Sequence, residues 1–342
     1  MSHLTRGVVG RGGRSSVSGI TATVFGATGF LGRYVVNRLG KMGSRVIVPF
    51  RGDEQGYRHL KLMGDLGQIV PVKYDPLDPA SIRNVLSRSN LVISLVGASR
   101  NAIHSSLNDA NVRLPEEIAI QAKQSGNVQR LVHVSALGAS YDAESLFLRL
   151  KKKGEDAVRG SFDGATVIRP AAMYGVEDEF LNSMAAAPKI LGGFTPVWTQ
   201  GHHLLQPVWV GDVAQGIIHA SVEDSAAGKV YEAAGLEALS RIALMKRVFN
   251  WIGRPTDKIV PIPDTVVDAA AALFSIKYLP RRYAPVTTEE IEYMRSNVVA
   301  SKDALSLRDL GVAQAPIEEI AHQFLAMTYK RGGVFFDPEL QK

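Results

Sequence analysis

Gly26-Ala27-Thr28-Gly29-Phe30-Leu31-Gly32 places three glycines at i, i+3 and i+6, between a β-branched run and an amphipathic one. At the turn from a strand into a helix, that spacing suits the binding of a phosphate-bearing ligand. The first glycine permits a tight turn, the second lets an anionic group approach the backbone, and the third lets the helix lie close on the sheet. The helix then offers unpaired N–H groups and the positive end of its dipole to a pyrophosphate. Gly26, Thr28, Gly29, Phe30, Leu31 and Gly32 are therefore the candidate cradle of a dinucleotide.

The next apolar run, RVIVPF, ends in Arg51. An acid at the end of the second strand would accept from a ribose 2′-hydroxyl, whereas a guanidinium there pairs with a 2′-phosphate. Arg51 thus points to NADP(H) rather than NAD(H), with Arg33 in reach to assist, the alternative being a solvated surface charge. Asp75, Val96 and Gly97 fall at the ends of the third and fourth runs, where the adenine and ribose would lie. Asp75 ahead of Pro76 and Gly97 at a strand exit suit plain turn chemistry equally well.

No metal site or serine triad is expected. His133 falls inside a buried strand, and His202-His203 lies in a Gly-flanked loop without acids at ligand spacing. The chain contains no cysteine, which excludes disulfides, thiolate metal sites and a cysteine nucleophile, so any redox role must borrow a cofactor. Among the 342 residues 46% are hydrophobic and 21% charged, the balance of an ordinary globule. The 39 basic and 33 acidic residues give a net charge of +6, unevenly spread. No acid precedes Asp53, while Arg6, Arg11 and Arg14 mark a basic arm over residues 1–19. Such an arm suits a mitochondrial targeting remnant or a docking segment. Beyond it the charges are mixed and no aromatic–basic motif occurs, so nucleic acid is not an expected partner. No apolar run is long enough to cross a bilayer.

Short apolar strands are expected at residues 20–25, 45–50, 68–74, 91–96, 130–134 and 165–168. Helical periodicity falls between them, as in Leu31, Val35, Leu39 and Met42 and over residues 79–87, 114–124 and 146–159. Strands alternating with helices predict an α/β fold, a doubly wound parallel sheet of the NAD(P)-binding Rossmann type. This domain is expected over residues 20–225, followed by a smaller C-terminal lobe over 226–342. Pro188, Gly192 and Gly193 mark a loop-rich stretch, and Asp212 suits an N-cap for a helix over 213–221.

The glycine loop, Ser135 at the exit of the fifth strand, Arg169-Pro170-Ala-Ala-Met173-Tyr174-Gly175 and Gln206-Pro-Val-Trp-Val-Gly-Asp212 together resemble the extended and atypical short-chain dehydrogenase/reductases. In that superfamily a tyrosine and, one helical turn later, a lysine carry proton transfer, and a Ser or Thr after the fifth strand orients the substrate oxygen. An ammonium beside a phenol lowers its pKa toward neutrality, which explains the pairing. The best register here is Phe147-Leu-Arg-Leu-Lys151, in which the lysine is present and the phenol is not. Tyr141 has Ser145 one turn on, so it fails the spacing. No catalytic residue is assigned, and Ser135 is read as a turn residue or a contact to the nucleotide.

A narrower likeness is carried by Gly12-Gly13-Arg14-Ser15-Ser16-Val17-Ser18-Gly19 running into the glycine loop, and by Met63-Gly64-Asp65-Leu66-Gly67-Gln68 and Gln206-Pro207-Val208. These resemble the nucleotide-binding accessory subunits of mitochondrial respiratory complex I. The resemblance implies bound NADPH, association with other complex I subunits, and a peripheral place on the matrix side of the inner membrane near the junction of the two arms. It adds Lys151, Pro170 and Met173 to the expected nucleotide contacts. The stretch from Asp264 to Tyr283, apolar and ending in Arg281 and Arg282, would suit a membrane surface or a partner groove, or burial against its own sheet. The expected role is an accessory subunit without turnover of its own. The alternative is an active NADP-dependent reductase or epimerase using Ser135 with Lys151 or a displaced tyrosine.

Overall fold

The structure is a computed structural model that describes residues 17–101, 105–190, 195–197, 202–256, 259–263, 265–269 and 288–329. Most of the basic arm and most of the stretch 264–283 lie outside the described residues.

The first half alternates strand and helix as its periodicity predicts. The order is β1 (Thr21–Phe25), α1 (Phe30–Lys41), β2 (Arg45–Phe50), β3 (Ile69–Lys73), α2 (Pro79–Leu86), β4 (Leu91–Ser94), α3 (Leu114–Ser125), β5 (Arg130–Val134), α4 (Leu146–Ser161) and β6 (Thr166–Pro170). The second half carries β7 (Met173–Tyr174), α5 (Phe180–Ile190), β8 (Thr195–Val197), β9 (Leu204–Leu205), β10 (Val208–Trp209), α6 (Val210–Val222), β11 (Val230–Ala233), β12 (Leu239–Ser240), α7 (Arg241–Trp251), β13 (Ile259–Pro261) and β14 (Leu305–Ser306). Helices Thr288–Met294 and Ile317–Tyr329 flank β14 in the chain.

Eight strands form one sheet in the order β3-β2-β1-β4-β5-β6-β11-β14, and each neighbouring pair is parallel. The strand order reverses between β1 and β4, which opens a crevice at the carboxyl ends of the strands. Successive side chains of a strand feed opposite faces. Ala22, Val24, Val46, Val48, Val132 and Val134 join the core that holds the apolar stripe of α1, Leu31, Val35, Val36 and Leu39, together with Val213 and Ile217 of α6. Phe25, Ile47, Val92 and Leu131 face the other way, against Ile82 and Val85 of α2, Ile118 of α3 and Val158 of α4. A third cluster joins Leu181 of α5, Leu244, Val248 and Phe249 of α7 and Phe324 and Leu325 of the last described helix. Residues beyond 225 serve two layers, since β11 and β14 extend the sheet while α7 and Ile317–Tyr329 pack on α5.

Two local expectations are corrected. Helix α6 starts at Val210 with Trp209 as its N-cap, so Asp212 lies inside the first turn. There its carboxylate still meets the positive helix end, and Oδ2 accepts from the Ala315 N–H at 3.0 Å, an amide that needs a partner. Pro188 lies within α5, two residues before its end, where its missing N–H removes one bond from the last turn and few residues follow to be disturbed.

Buried charge ties the layers together below the crevice. Arg169 of β6 donates from Nε and Nη2 to the two carboxylate oxygens of Glu155 of α4 at 2.8 and 2.7 Å. It also stands 3.6 Å from Glu232 of β11, whose Oε2 accepts from the Ser301 N–H at 2.7 Å. Glu155 is 1% exposed. Such a pair adds little net stability as a unit but is costly to break, because each member would leave a buried charge behind.

Candidate dinucleotide-binding site

The glycine loop links β1 to α1 at the point where the strand order reverses. Gly26 has φ +79°, a left-handed conformation that disfavours a side chain, and its carbonyl accepts from the Gly29 N–H at 3.0 Å. A Cβ at Gly26 would stand 3.1 Å from the Leu95 carbonyl carbon, and one at Gly32 would stand 2.4 Å from the Ala27 oxygen. The third glycine thus lets α1 start hard against the loop. Gly29 is the N-cap, with no side-chain cap and no acid in the first turn, so the helix end is left electropositive for an anion.

Above the loop lies a cavity of ≈ 410 Å³. Its walls bring together Gly26, Gly29, Phe30, Leu31 and Gly32 from the loop and α1. Gly97, Ser135, Lys151, Pro170 and Met173 come from the carboxyl ends of β4, β5 and β6, from α4 and from β7. The other expected contacts do not line it. Thr28 is exposed on the turn, and Arg51 is exposed just past the end of β2. Val96 packs with the opposite core. Asp75 closes its own turn, Oδ1 accepting from the Leu77 N–H at 2.9 Å.

Lys151 is the most perturbed cation of the cavity. It is 5% exposed, and burial pulls its ammonium down to about 8 against a partial opposing pull from Glu155. Glu155 itself is committed to Arg169, and Lys151 has no ion pair among the described residues. Its Nζ stands 5.8 Å from the centroid of the Phe147 ring, one turn back on α4. Phe147 lines the cavity, so the expected register of the phenyl and the ammonium is present. A Cβ at Gly97 would lie 2.4 Å from Nζ, so the glycine leaves room for the lysine head.

Other groups fix these walls. Ser135 is 4% exposed, its N–H donates to Ile168 at 2.8 Å, and its hydroxyl is buried without a partner among the described residues. His133, two residues earlier, is fully buried and pushed down to about 3 by burial and by the Lys151 charge, so it is neutral. Asn111, which the sequence reading missed, sits in a wide π-helical turn (Asp109–Arg113) and is fully buried. Its Nδ2 donates to the Ala98 and Leu107 carbonyls at 2.8 and 2.9 Å, pinning the β4 exit beside Lys151. A lone asparagine in a helical pattern carries no signal for this. Glu290 and Tyr293 were also missed, and both line the cavity from a distant part of the chain.

These residues fit a dinucleotide: a cradle that Cβ atoms would fill, an unopposed helix end, an orphaned buried hydroxyl and an ammonium without a carboxylate. Chemically the site can bind and orient an anionic ligand, but Phe147 cannot pass a proton. No group of three or more His, Asp or Glu among the described residues could hold a metal ion.

The fold and the cradle define the class, a short-chain dehydrogenase/reductase-like NAD(P)-binding protein, and the family model described as NAD(P)H-binding matches residues 26–182. Within that class the chain belongs to the family of NADH dehydrogenase (ubiquinone) 1 alpha subcomplex subunit 9, mitochondrial, the mitochondrial complex I subunits that carry an NAD(P)-binding domain. It is 41% identical over 342 residues to the Arabidopsis thaliana protein of that name, covering 98% of this chain and 84% of that protein. It is 42% identical over 316 residues to the Mus musculus protein, covering 90% of this chain and 80% of that one. Among solved structures it is similar to an NADPH-dependent quinone oxidoreductase from Escherichia coli complexed with NADPH, with TM-score 0.67 and 20% identity over 89% of this chain and 99% of that one. At that identity the likeness concerns the fold.

Proposed function

We propose that the chain holds NADPH as a resident ligand without turning it over, and that it serves mitochondrial complex I as an accessory subunit. In this reading it associates with other complex I subunits and supports assembly and stability from the matrix side of the inner membrane, near the junction of the peripheral and membrane arms. No helix among the described residues is long and apolar enough to cross a membrane.

The observation that carries the proposal is Phe147 one turn before Lys151. The site keeps what binds a nucleotide and lacks what moves a proton. Gly26, Gly29 and Gly32 would hold the pyrophosphate, Arg51 the 2′-phosphate, and Ser135 and Lys151 the nicotinamide end. NADPH would supply a hydride at its nicotinamide ring, but the substrate oxygen would find no acid in the place of Phe147. Tyr293 brings a phenol to the wall, yet burial raises its pKa, with Arg241 only partly opposing, which makes it a poor acid at neutral pH. A nucleotide bound only by the folded chain stabilises it by about 4 kcal/mol at a thousandfold excess over Kd, a sufficient role without turnover. Native electrophoresis of mitochondrial membranes probed for this chain tests the assignment. Co-migration with NADH-oxidising activity supports it, and a free monomer contradicts it.

A further inference from the structure

The expected nucleotide contacts leave Arg100, Glu290 and Tyr293 without a role. Helix Thr288–Met294 reaches the cavity from far along the chain and contributes Glu290 and Tyr293 to its wall, beside Phe147, Ser135 and Lys151. Among the described residues, an ion pair and an aromatic pair help to hold it there. Arg100, in the segment after β4, donates from Nη2 to both carboxylate oxygens of Glu290 at 2.8 Å each. The two side chains are only 19% and 13% exposed. On the other flank the Tyr293 ring meets the Phe147 ring edge-to-face, with centroids 5.7 Å apart and an interplanar angle of 85°.

The ion pair therefore joins the β4 exit to the helix, and the ring pair joins the helix to α4. Both bridges span elements that line one cavity, at the end where Ser135 and Lys151 stand. Exposed ion pairs contribute little, but a charge-assisted contact to both carboxylate oxygens that is largely withdrawn from water is stronger and geometrically restrictive. An edge-to-face aromatic pair adds to it.

We propose that helix Thr288–Met294 is a retaining strap. Arg100 and Glu290 position it across the nicotinamide end, so that it fills the space a second substrate would need and slows the escape of the nucleotide. The proposal rests on the NADPH reading above. It gives that reading a specificity, because a carbonyl substrate could reach the nicotinamide only if the strap opened.

The test is the rate of NADPH release from the full-length chain, followed by nucleotide fluorescence after an added oxidase consumes free NADPH. Arg100→Ala and Glu290→Gln should each release NADPH about tenfold faster than wild type, with an off-rate effect typical of a lost positioning contact. The exchanged pair Arg100→Glu/Glu290→Arg should return the rate to within about threefold of wild type, since it restores the charge pair in reverse. Release at the wild-type rate in both single variants would overturn the strap, as would fast release in the exchanged pair. Wild-type protein that takes up no NADPH would instead overturn the nucleotide reading, and the strap with it.

Discussion

The Nζ of Lys151 stands 5.8 Å from the centroid of the Phe147 ring on one face of α4, and both residues line the cavity. A buried ammonium without a carboxylate partner among the described residues is unfavourable, and a nucleotide that accepts from it would relieve that cost. In the proposed function Lys151 would supply affinity for the nucleotide, and the phenyl ring of Phe147 in the phenol's place would withhold turnover.

The Lys151 ammonium has an ordinary value of 10.5 and a folded value of about 8. Between these values the unfolded chain binds more protons than the folded one, so stability without nucleotide rises with pH across that window. Between pH 7.5 and 9.5 this group should contribute about 2 kcal/mol of that rise. Lys151→Met should lose this increment in urea denaturation at the two pH values. In wild type, NADPH affinity should fall as pH passes about 8, because a neutral amine no longer holds the ligand.

Arg51→Ala should weaken NADPH binding by about 10- to 100-fold while leaving NADH within about threefold, as expected for the loss of a guanidinium–phosphate pair. Titration calorimetry with both nucleotides checks this. Equal losses for both would place the 2′-phosphate elsewhere.

Gly32→Ala should cost about 1 to 3 kcal/mol and abolish nucleotide uptake, since its Cβ would stand 2.4 Å from the Ala27 carbonyl oxygen, a backbone atom that cannot step aside. Thermal melts with and without NADPH measure both effects. In Gly32→Ala the nucleotide-dependent shift should vanish.

Glu155→Ala should destabilise the chain by about 3 to 5 kcal/mol, because it strips Arg169 of both short contacts and leaves only Glu232 at 3.6 Å. Replacing Glu155 and Arg169 together by apolar residues should recover much of that loss in denaturant unfolding.

The glycine loop and the stripe Leu31, Val35 and Leu39 were legible because a strand-to-helix turn and an apolar helix face are local patterns. Phe147 and Lys151 could be set in register for the same reason, one turn apart on a single helix. The groups that complete the cavity were not legible. Glu290 meets Arg100 across a separation of 190 residues, and no spacing rule reports such a contact. Asn111 acts through the β4 exit that it pins, and Asp212 exchanges the cap role for a bond to Ala315, a choice made by tertiary packing over helix-end preference. Helix α5 was hidden by Pro188 and the glycines that follow it.

NADPH held without turnover in complex I is tested most directly by quantifying the nucleotide released when the intact complex is denatured at neutral pH in cold organic solvent, which preserves both redox states, before and after sustained NADH oxidation. About one NADPH is expected for each copy of this chain, in the same amount and redox state at both times, as a resident ligand requires. Absence of NADPH at the start, or its conversion to NADP⁺ as the complex turns over, would contradict it.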